Sequence, residues 1–85
     1  MRKKENSKFP LSKSFYIVVA SLPHRENLVA EIFYNGVQWV ELSQEDKEIM
    51  IQFYSHPRQE YWEFPLDEAF AALEEAKKRF IGMGK

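Results

Sequence analysis

Residues Leu28-Val-Ala-Glu-Ile-Phe-Tyr-Asn-Gly-Val-Gln-Trp-Val-Glu-Leu42 decide how this chain folds. Two runs of apolar, β-branched and aromatic residues flank Asn35-Gly36. A type I′ turn requires positive φ at both central positions, and this dipeptide accepts that at the lowest steric cost. The stretch reads as a hairpin of two strands, Leu28 to Tyr34 and Val37 to Leu42. In the two-residue register Tyr34 pairs with Val37, Ile32 with Trp39 and Ala30 with Glu41 on one face. Phe33 then pairs with Gln38, Glu31 with Val40 and Val29 with Leu42 on the other.

Working outward, Ser14-Phe-Tyr-Ile-Val-Val-Ala20 has the composition and length of a strand, with Phe15, Ile17 and Val19 on one face. Ser21 to Asn27, with Pro23 and several charges, is a connecting loop. The polar cluster Ser43 to Lys47 turns the chain into a fourth strand, Glu48 to Tyr54, and the short aromatic segment Glu60 to Phe64 is a candidate fifth, edge strand. From Pro65 the period changes from two to about 3.6, with Leu66, Ala69, Phe70, Leu73, Ala76 and Phe80 on one stripe of a helix. Asp67 and Glu68 suit the helix N-terminus, Lys77, Lys78 and Arg79 its last turn, and Gly82 its stop. The connections are too short for crossovers, so the expected fold is α+β: an antiparallel meander of four to five strands with one C-terminal helix packed on one face.

Eighty-five residues suffice for one domain, expected over 14–82 behind a basic, flexible leader at 1–13. The 45% hydrophobic content implies a packed core, and the lack of cysteine removes disulfides, thiolate metal sites and cysteine nucleophiles. No apolar run approaches the roughly 20 residues that span a bilayer, so a cytoplasmic protein without membrane contact is the expectation. Residues 1–13 carry five cations and one acid, whereas the other 72 carry seven cations and twelve acids. An acidic body repels phosphate backbones and argues against nucleic acid as a ligand.

Catalytic and metal-ligating groups are sparse, and no catalytic residue, metal or cofactor is assigned. His24 and His56 both sit beside proline in loops that a meander places at opposite ends of the sheet, too far apart to share a metal or a proton. Glu31 and Glu41 resemble a carboxylate pair, yet the two-residue register puts them on opposite faces. A bulge would instead set them side by side as repelling charges or as a functional dyad.

The surplus of aromatics is more informative, because one helix covers only part of such a sheet and the remaining apolar surface marks an interface. Acids crowd the turn after the hairpin (Glu41, Glu45, Asp46, Glu48) and would steer a basic partner. Tyr34, Trp39, Glu41, Glu45, Asp46, Tyr54 and Trp62 are the candidate partner-binding residues.

The order Leu28 to Gly36, then Trp39-Val-Glu-Leu-Ser-Gln-Glu45, Ile51-Gln-Phe-Tyr54 and Trp62-Glu-Phe-Pro-Leu-Asp-Glu-Ala69 resembles small bacterial immunity proteins found beside polymorphic toxins. The resemblance spans residues 28–80 and rests on structural motifs. It implies a small inhibitor, without catalysis of its own, that binds and neutralises a cognate toxin, and the acid clusters make a basic toxin the expected partner. The expected function is therefore a non-enzymatic protein-binding module. The alternative is a homodimeric structural or regulatory subunit, paired through the open sheet face or an edge strand.

Overall fold

The computed structural model describes residues 8–10 and 14–83. It shows one antiparallel sheet of five strands in sequence order: β1 (Lys8–Pro10), β2 (Phe15–Ala20), β3 (Val29–Tyr34), β4 (Val37–Ser43) and β5 (Met50–Phe53). One helix, α1 (Leu66–Met83), packs on one face. This is the α+β meander that the alternating patterns imply. Asn35 and Gly36 take φ of 51° and 82°, so the hairpin turns where a left-handed dipeptide permits it.

The core lies between the sheet and α1. Phe15 and Ile17 of β2, Ala30 and Ile32 of β3, and Trp39, Val40 and Leu42 of β4 meet Ala69, Ala72, Ala76 and Phe80 of the helix. Three alanines on the inward stripe let the helix backbone approach a sheet already filled by large side chains. The helix contacts β2, β3 and β4, and among the described residues it does not reach β5.

Four local expectations are corrected. The fifth strand is β1, paired with β2, and not Glu60 to Phe64, which is loop. That loop instead drops Trp62 and Phe64 onto the core, with Phe64 4.7 Å from Trp39 and 5.2 Å from Phe15 between ring centroids. Lys8 to Pro10 therefore belong to the sheet, while the rest of the expected leader, 1–7 and 11–13, lies outside the described residues. The helix stripe is rotated: Leu66 and Phe70, expected inside, are 67% and 60% exposed, and Ala72 takes the inward position. The helix also continues through Gly82 to Met83, so its last turn holds no basic residue.

The fourth correction concerns register. Tyr34 pairs with Val37 and Phe33 with Gln38, but Ile32 then pairs with Val40, Glu31 with Glu41 and Ala30 with Leu42. A β-bulge at Trp39 separates the two halves of the ladder. Its cause is legible in energetic terms. The unbroken register would put Glu41 beside Ala30, beneath the helix, where an ionised carboxylate has no solvation. The extra residue lets Trp39 and Val40 both enter the core and moves Glu41 to the other face.

Candidate functional site

The bulge brings Glu31 and Glu41 together on the sheet face opposite α1, directly paired across β3 and β4. On the same face the registers place Val18 and Tyr16 of β2, Phe33 of β3, Gln38 and Ser43 of β4, and Met50 and Gln52 of β5. Tyr16 and Phe33 stack at 5.2 Å.

Glu41 is 1% exposed and is held by two partners. The Tyr54 hydroxyl donates to Oε1 at 2.8 Å, and Arg25 Nη2 lies 3.0 Å from Oε2. Arg25 comes from the β2–β3 loop, which is tied down at the same end of the sheet. Asn27 Nδ2 donates to the Gln44 carbonyl at 2.9 Å, Gln44 Nε2 donates to the Lys47 carbonyl at 2.7 Å, and the Glu26 amide approaches Glu45 Oε1 at 3.4 Å. The loop thus delivers a cation to the one fully buried acid of the sheet. The hydrogen bond to Glu41 is also the main reason the Tyr54 hydroxyl is held above its ordinary pKa, with burial and the neighbouring carboxylates adding to it.

Glu31 is treated differently. It is half-buried, and among the described residues its carboxylate has no hydrogen bond or ion pair. Burial, and then the charge of Glu41, raise its carboxyl above the usual range. Arg25 answers one of two adjacent carboxylates, so the pair keeps an excess negative charge. Beside it, Arg25, Ser43, Glu45, Asp46, Lys47, Glu48, Met50, Ile51 and Gln52 line an open groove of about 480 Å³.

The candidate residues fall into three groups. Glu45 and Asp46 are exposed in the β4–β5 turn, as a steering role needs. Trp39, 6% exposed, and Glu41 are interior residues and present no surface to a partner. Tyr34 and Trp62 pack against the core, and Trp62 Nε1 donates to the Tyr54 carbonyl at 2.7 Å. Tyr54 keeps 41% exposure on the rim of the acidic face. The most exposed large apolar residues are others: Met50, Phe53, Tyr61, Leu66 and Phe70. Arg25 was not among the candidates, and Glu31 entered only as the neighbour of Glu41 that a bulge would create, as the register shift does. The signal that could have found them is the adjacent pair Trp39-Val40 ahead of Glu41, a change of phase within one strand.

Chemically, a carboxyl with raised pKa beside an ionised one is the pattern of an acid and base pair. Here the second member is sealed behind Arg25 and Tyr54, so only Glu31 can touch another molecule. The loops that carry His24 and His56 lie at opposite ends of the sheet, one after β2 and one after β5. His56 Nδ1 accepts from the Arg58 and Gln59 amides at 3.0 and 3.1 Å, and its ring meets Trp62 edge-on. It closes a turn. Among the described residues no group of three or more His, Asp or Glu is arranged to hold a metal ion, and no helix is long and apolar enough to cross a membrane. Compared with known proteins, the chain matches no family model, no curated protein and no solved structure.

Proposed function

We infer that this chain is a non-enzymatic protein-binding domain that presents its helix-free sheet face to a basic protein, in the manner of the immunity proteins its sequence resembles. The observation that carries this reading is Glu31: a half-buried carboxylate with a like charge opposite it and no cation paired with it among the described residues. In the free protein that arrangement is unfavourable, since like charges directly opposite on a sheet repel. A lysine or arginine from a partner would relieve it. Glu45, Asp46 and Glu48 extend the negative field along the same end of the sheet and favour encounter with a cationic surface. Phe33, Met50 and Tyr54 supply the apolar contact that an interface centre requires.

The test is calorimetric titration of the full chain with the protein encoded beside its gene, across a salt series and from pH 7 to pH 4.5. Binding should weaken with salt and weaken again as Glu31 takes up a proton. Glu31→Gln should weaken binding roughly tenfold at pH 7, the scale of one lost interfacial ion pair. Binding that ignores both salt and Glu31→Gln would refute the reading.

A further inference from the structure

A recess of about 350 Å³ lies at the end of the sheet where β3 turns into β4, between that turn and the loop that follows β5. Tyr34 and Val37 form one wall. Tyr34 pairs with the core residue Phe15 on one side and with Val37 on the other, so this wall is on the helix side, away from Glu31 and Glu41. The loop supplies the opposite wall with His56, Arg58, Trp62 and Glu63.

That loop has no regular structure, yet it is fixed. His56 Nδ1 accepts from the Arg58 and Gln59 amides, and Pro57 between them locks a backbone torsion. Trp62 is pinned by its bond to the Tyr54 carbonyl and by the His56 ring, 4.7 Å away between centroids. The recess is therefore shaped before anything enters it, which lowers the ordering cost of binding.

Two features give the recess its chemistry. With Nδ1 spent as an acceptor, the neutral imidazole carries its hydrogen on Nε2, so His56 offers a donor. Arg58 and Glu63, opposite in charge, line the same recess, yet neither is ion-paired among the described residues. One pole thus suits a carboxylate, which Arg58 and the Nε2–H can both meet. The other suits a cation, through Glu63 and the rings of Tyr34 and Trp62. A simple anion would face Glu63 and a simple cation would face Arg58. A molecule that carries both charges meets neither penalty. The volume is at the lower end of small-molecule sites, roughly 300–1,000 Å³, and a peptide end would bring only one of the two charges.

We propose that this recess binds a free α-amino acid, with its carboxylate on Arg58 and His56, its ammonium on Glu63, and an apolar side chain against Tyr34, Val37 and Trp62. The site uses no residue of the anionic sheet face, so it stands apart from the function proposed above.

Titration of the isotope-labelled full chain with L-leucine and, separately, L-phenylalanine tests the proposal through amide NMR shifts. At least one should give saturable shifts centred on residues 34–37 and 56–63, half-complete by about 1 mM. Arg58→Gln and Glu63→Gln, both at exposed positions, should each weaken binding roughly tenfold with unchanged circular dichroism. The desamino and descarboxy analogues of the amino acid that binds should be weaker by at least the same factor. Absence of half-saturation by about 1 mM with both amino acids would overturn the proposal. So would a desamino analogue that binds as well as its parent, which would mark a plain anion site, or binding indifferent to both substitutions.

Discussion

At the scale of single residues, the sheet face opposite the helix is governed by how three charges are shared. Glu41 is sealed, with Oε1 hydrogen-bonded to Tyr54 and Oε2 ion-paired to Arg25, whereas Glu31 has neither contact among the described residues. Because folding raises the Glu31 pKa above its ordinary 4.5, the protonated form is favoured in the native state. The sign follows by linkage: the stabilising effect of the proton is complete below the unfolded value and is lost as pH rises through the folded one. Glu31→Gln should therefore stabilise the free protein at pH 7 by about 0.2–1 kcal/mol, the range of a cross-strand pair. The gain should shrink as pH falls toward 4.5, which thermal melts across that interval would show. Arg25→Met makes the opposite case. It strands a buried carboxylate and should cost about 3–5 kcal/mol, as breaking a buried pair does. Tyr54→Phe removes one charged hydrogen bond at a partly exposed site and should cost about 1.5 kcal/mol. Urea unfolding checks the order, and a Tyr54 variant as costly as the Arg25 one would contradict this account of Glu41.

At the scale of elements, what could be read from the chain and what could not have separate physical causes. Asn35-Gly36 and the period-two patterns on either side specify the hairpin because backbone sterics alone demand such residues there. The bulge is hidden because Val40 suits either face of a strand. Only Glu41, which cannot lie under a helix, forces the shift. The helix was legible in position but not in rotation. Apolar residues cover nearly half its circumference, and periodicity cannot choose between large and small ones. Packing chooses the alanines, since the sheet beneath is already bulky. Ala72→Leu should accordingly overpack the interface and cost about 1–3 kcal/mol, while Phe70→Lys should change stability by no more than about 0.5 kcal/mol. Equal costs at the two positions in chemical unfolding would mean that the inward stripe is the one containing Phe70. β1 escaped notice because three residues, one of them proline, carry no alternation to read. The aromatic segment 60–64 mimicked a strand because Trp62 and Phe64, two apart, both reach the core from a loop.

At the scale of the whole molecule, one narrow helix on a five-stranded sheet leaves two surfaces of different chemistry. One is anionic and ringed by aromatics on the helix-free face. The other is the recess on the helix side, with a cationic and an anionic pole, at the end where β3 turns into β4. The sheet separates them, and no residue belongs to both. Amino-acid binding and capture of a basic protein should then be independent, with one partner bound per chain and the same intrinsic affinity whether the recess is filled or empty. Arg58→Gln should weaken amino-acid binding and leave the titration with the basic protein unchanged, and Glu31→Gln should weaken that titration roughly tenfold and leave amino-acid binding unchanged. Calorimetric titration with the basic protein, with and without a saturating amino acid, distinguishes the outcomes, giving one affinity in both cases if the sites are independent. A weaker titration in the presence of the amino acid would show that the two events compete for the recess, and the binding surface would then have to be moved from the anionic face to the helix side.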